Sequence, residues 1–178
     1  MYAALAHARR TLDRVTDQLR QRVAQALACF DQSDDIGALH ALLDEVAPRA
    51  KKAIGQFVRQ GGEDAIPPPA DLGPALDAAS LRDATATLRS TNDFPLLLAM
   101  SRAIGRRVEA IEIAASAEFR EGSRVLVPMQ PRYPVSGASA SGTVREPGIM
   151  LDVLLDDGEP WRGPASLVRA LDRQRGVR

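Results

Sequence analysis

Few side chains in this 178-residue sequence could do acid–base, nucleophilic or metal chemistry. His7 and His40 are its two histidines. Neither accompanies a Ser or Cys nucleophile motif, so both are expected to be structural or to face solvent. The single cysteine, Cys29, ends an apolar helical stripe, where a buried and inert thiol is expected. One thiol leaves no intramolecular disulfide and no sulfur cluster for zinc or iron, which suits a reducing compartment. Asp152, Asp156, Asp157 and Glu159 crowd one segment. They lack the regular ligand spacing and sharp-turn glycine of a calcium loop, and read as a solvated turn. The stretch SGASASG, Ser136 to Gly142, is neither a nucleophile elbow nor a phosphate loop and reads as part of a flexible hairpin loop. No catalytic residue, metal site, cofactor or small-molecule substrate is expected. An enzyme would require a pocket that sets Asp152 or Glu159 beside a partner with a perturbed pKa.

Binding chemistry is better represented. Arg132 and Tyr133 stand between Pro131 and Pro134 in a loop from Met129 to Ala140, which is either a recognition element or an idle connection. Trp161, the only tryptophan, lies between Pro160 and Gly163-Pro164, a context that reads as a turn with the indole partly exposed. With Arg145 and Arg162 these residues make the expected partner-binding set: Arg132, Tyr133, Arg145, Trp161 and Arg162. A rival reading gives the arginines to nucleic acid, with Arg124, Arg132, Arg145, Arg162 and Arg169 late in the sequence and Arg9, Arg10, Arg14, Arg20 and Arg22 early in it. Against that, 23 Lys+Arg balance 23 Asp+Glu, so no large field steers the whole protein onto a polyanion.

The elements that must position these residues change character along the sequence. Leu5, Ala8, Leu12, Val15, Leu19, Val23, Ala26 and Phe30 recur at steps of three and four, the period of a helical stripe. Leu5, Leu12, Leu19 and Ala26 are also seven apart, as a coiled-coil seam would be, but Arg22 occupies a companion position, so a bundle helix is the reading adopted. A second stripe runs from Ile36 to Val58 and closes at Gly61-Gly62; Pro48 makes it either one kinked helix or two short ones. Residues 61–74 concentrate Gly, Pro and acids and read as an exposed loop. Short helical stretches are expected at Ala75 to Ala79 and, capped by Ser80, at Leu81 to Arg89. Asn92 or Asp93 then caps a helix carrying Leu97, Ser101, Ile104, Val108, Ile111 and Ala115. At Glu121-Gly122 the period falls to two, with alternation in SRVLVP, a short strand at Thr143 to Arg145, alternation in IMLDVLLDDG up to the turn Asp157-Gly158, and a last piece at Leu167, Val168 and Leu171.

Four segments, GSRVLVP (Gly122 to Pro128), SGTVRE (Ser141 to Glu146), LDVLLDDG (Leu151 to Gly158) and PASLVRAL (Pro164 to Leu171), together resemble SH3-like barrels of the Tudor and KOW type. The resemblance covers roughly the final third of the chain and implies a small closed barrel with a protein or RNA partner. Tudor modules hold methylated side chains in aromatic cages, for which this segment offers Tyr133 and Trp161 with Phe119 at its entry. The expected fold is therefore α+β, with a helical domain at 1–120, a barrel at 121–173 and a tail at 174–178.

No unbroken apolar run approaches the roughly 18 residues of a membrane span, so a cytoplasmic protein without membrane contact is expected. The expected function is that of a non-enzymatic adaptor or assembly protein that binds a protein partner or itself. A component of a virion or other large assembly belongs to the same class. Nucleic-acid binding is the alternative.

Overall fold

A computed structural model describes residues 2–62, 64, 66–73, 77–131 and 137–171, with side chains from residue 16 onward. Four helices, α1 (Tyr2–Gln32), α2 (Ile36–Gly61), α3 (Leu81–Ser90) and α4 (Phe94–Ser116), precede five strands. These are β1 (Arg124–Pro128), β2 (Ser139–Glu146), β3 (Met150–Leu155), β4 (Pro160–Pro164) and β5 (Arg169–Ala170), with a 3-10 turn at Ala165–Leu167 before β5. The protein groups into two compact units, Met1–Ser33 with Leu42–Arg107, and Asp34–Ala41 with Val108–Arg178. No described helix is long and apolar enough to cross a membrane.

In the first unit, Val23, Ala26 and Phe30 of α1 and Leu42, Val46 and Ala50 of α2 are buried at helical spacing. Pro48 does not divide α2, which runs through it. Pro48 and Asp44, whose carbonyl loses its donor one turn back, both lie on the exposed side, where water can replace the missing bond. Ser80 caps α3 as its position suggests, accepting from the Asp83 amide at 3.2 Å while its hydroxyl donates to the Asp83 carboxylate at 2.7 Å. At the other end of α3, Arg49 donates to the carbonyls of Leu88 and Thr91 at 3.1 and 2.7 Å, satisfying acceptors that a helix terminus leaves open. Asp93, not Asn92, caps α4 through the Leu96 amide. From Leu96 to Met100 every residue of α4 is buried, so this stretch is apolar all round and central to its unit.

Between α2 and α3 the Pro- and Gly-rich loop is less open than its composition suggests. Ile66, Pro67, Pro69, Ala70 and Leu72 are half-buried, and the Ala70 amide donates to the Pro95 carbonyl. Of the short helix expected at Ala75 to Ala79, residues 77–79 are not helical, and 75–76 lie outside the described residues.

The strands of the second unit form one antiparallel sheet in the order β4-β3-β2-β1-β5. Inward residues Val125, Val127, Val144, Leu151, Val153, Leu155 and Trp161 make its core with Phe119, Ala165 and Val168. Two expectations fail here, for one reason. SGASASG is not all loop, because Ser139 to Gly142 belong to β2, and PWRGP is not a turn but strand β4. In both strands the small residues serve close packing. A Cβ on Gly142 would stand 2.6 Å from the Leu154 carbonyl oxygen, and one on Gly163 would stand 2.5 Å from the Trp161 ring.

Strand β4 has a further property. Leu155 donates to Glu159 and Ala165 donates to Ile149, which fixes the antiparallel alternation along the β3–β4 ladder. In that alternation the backbone groups of Pro160, Arg162 and Pro164 point away from β3. Two of these three residues are prolines, so Arg162 alone offers an outward amide donor on this edge.

Candidate functional site

Of the five residues expected to bind a partner, Arg145, Trp161 and Arg162 come together; Arg132 and Tyr133 lie outside the described residues. The three line one open depression of about 590 Å3 on β2, β3 and β4, beside Asp152, Leu154 and Pro160. Asp152 and Leu154 of β3 and Pro160 and Arg162 of β4 have the register parity that faces away from the buried Val153 and Trp161. Arg145 follows the buried Val144 and so faces outward by strand alternation, while the register shift between Val144 and Glu146 sets Glu146 opposite Asp152.

Trp161 plays a different part from the one its turn-like context suggests. Its side chain is 6% exposed, not partly exposed, and its indole nitrogen donates to the Pro128 carbonyl at 2.7 Å. Strand alternation turns it inward, and the Pro128 bond satisfies the one polar atom that burial would otherwise strand. Trp161 therefore builds the floor on which the exposed residues stand.

The arginines of this unit divide by what they touch. Arg124 is engaged: its guanidinium forks onto Asp156 at 2.6 and 2.7 Å and also reaches the Thr143 hydroxyl. Ser141 donates to the same carboxylate at 2.5 Å. The Arg124 and Ser141 bonds hold the Asp156 carboxyl down to about 2. Arg162 makes a looser ion pair, 3.4 Å from Asp152, and its side chain is 71% exposed. The Arg145 guanidinium forms no ion pair or hydrogen bond among the described residues. The acidic segment is thus not one solvated turn: Asp156 ties three strands, and Asp152 faces Arg162.

One charged residue escaped the sequence reading. Glu112 of α4 is 3% exposed. Its carboxylate accepts from the Ser166 amide at 2.9 Å and from the Ser166 hydroxyl, and lies 3.7 Å from His40 Nε2. A signal was present, since Glu112 is four residues after Val108 and three before Ala115 and so lies on the apolar stripe. The Ser166 hydroxyl donates to the Glu112 carboxylate. The trio joins the first turns of α2, the last turns of α4 and the 3-10 turn. His7 lies outside the described side chains. Cys29 is buried, and burial pushes its thiol pKa up, away from the reactive thiolate. Among the described residues no group of three or more His, Cys, Asp or Glu is placed to hold a metal. The sequence matches no protein-family model, no curated protein and no solved structure.

Proposed function

We propose that this protein is a non-enzymatic adaptor or assembly component that binds a protein partner across the outer face of β2, β3 and β4. The observation that carries the reading is the pairing of two exposed guanidiniums, Arg145 and Arg162, on one depression that also offers the apolar surface of Leu154 and Pro160. Arginine beside apolar surface is the composition of an interaction hot spot. We further propose that the sheet is a small SH3-like barrel; in support, the strands follow one another as a meander and the last returns to pair with the first.

Nucleic-acid binding has less support on this face. Arg124 is committed to Asp156, Arg162 sits against Asp152, and Glu146 adjoins Arg145, so the local charge is mixed. The test is affinity capture from the native host with the wild-type protein and an Arg145→Glu/Arg162→Glu variant. A specific partner retained by the wild type and lost by the variant is expected. Identical retained sets would remove this face from the reading.

A further inference from the structure

The same depression carries an inference about the chemistry of its ligand, one that rests on the proposed protein-binding reading. Two routes of recognition are open to a sheet: another strand can pair along an edge, or a segment can lie across a face. On the β4 side the first route is closed by Pro160 and Pro164, which leave Arg162 as the sole outward amide donor. Face recognition remains, and there the side chains decide. Among the described residues the Arg145 guanidinium forms no ion pair or hydrogen bond, and that of Arg162 has only the loose ion pair with Asp152. A guanidinium is a planar fork that matches a carboxylate in two parallel bonds. Arg124 shows the matched state within this molecule, its fork closed on Asp156 by bonds of 2.6 and 2.7 Å.

The nearby acids set the number of charges the site will take. Asp152 and Glu146 offset the two arginines, so the depression has no excess field to hold a run of phosphates. A single carboxylate that exchanges a 3.4 Å pair for a closed fork needs no such field. We infer that the depression recognises one carboxylate, from Asp, Glu or a free C-terminus, on a protein segment whose neighbouring apolar side chains cover Leu154 and Pro160.

Selection of a random 12-residue phage-displayed peptide library on the full-length protein tests this directly, with Trp161 fluorescence as the check that each variant is folded. The expected outcome is enrichment of peptides sharing an acidic position. Their affinity should fall roughly tenfold or more when that residue becomes its amide, and by a similar factor on Arg145→Gln/Arg162→Gln protein. A shallow salt dependence should accompany this, since few ions are released by one carboxylate. Peptides without a shared acid that are lost on Leu154→Asp protein would overturn the carboxylate inference and leave the protein-binding face standing. Acidic peptides indifferent to the arginine variants would overturn the inference as well. Failure to enrich any peptide would overturn both, as would a single-stranded oligothymidylate that binds this face with a steep salt dependence.

Discussion

Arginine does different work in the two units. In the helical unit Arg49 closes on the carbonyls of Leu88 and Thr91, and Arg107 donates to the Ser33 carbonyl at 2.8 Å. Helices end with acceptors that have no backbone donor, and a long cationic side chain is one of the few groups able to reach them. A sheet ladder satisfies its backbone from strand to strand, so its arginines are not needed there. Arg124 instead ties strands through Asp156, and Arg145 and Arg162 are left to face outward. The lesson is that an arginine count carries little functional information until the backbone's own demand for donors has been subtracted.

The largest way to test this separation is to strike the sheet core. Trp161→Ala removes the largest side chain of that core and leaves the Pro128 carbonyl without its donor, and should cost about 3–5 kcal/mol. Hydrogen exchange should quicken across β1 to β4 while the α4 amides from Leu96 to Met100 stay protected. Equal loss in both regions would break the comparison. In the helical unit, Arg49→Met keeps the stem and deletes the two charged donors, with an expected cost of about 1.5–3 kcal/mol. The urea midpoint of helical circular dichroism should fall, and the midpoint of Trp161 fluorescence, which reports the sheet alone because the sequence has one tryptophan, should hold. The smallest effect is an acid one. Because Asp156 ionises at about 2 in the folded sheet, below an ordinary carboxyl, its ties to Arg124 and Ser141 stabilise fully above the usual carboxyl range and fade as pH drops toward 2. Asp156→Asn should flatten that acid decline in the fluorescence midpoint; an unchanged slope between pH 4 and 2 would show that the network contributes nothing measurable.

Legibility in the sequence followed the range of the interaction involved. Ser80, Asp93 and the Asp157-Gly158 turn act on backbone within a few residues, and each was readable from its neighbours. The change of period at Glu121 was readable for the same reason, because alternation is local. Strand β4 was not, since Pro160, Gly163 and Pro164 look like turn residues. Only the cross-strand contact of Gly163 with the Trp161 ring explains why a small residue is required inside a strand. The continuity of α2 through Pro48 depended on which side of the helix faces water, again a tertiary fact. For the site, Arg145 and Arg162 were found by type. Their sharing of one depression depends on β2 and β4 both lying beside β3, a pairing that no spacing within one segment announces.

The prolines that bound β4 have a consequence for life at high concentration. An open strand edge can act as a template on which unfolded or neighbouring copies stack into cross-β fibrils, a hazard that grows with crowding. With Pro160 and Pro164 at the positions where incoming carbonyls would seek amides, that margin of the sheet is a poor template for such stacking.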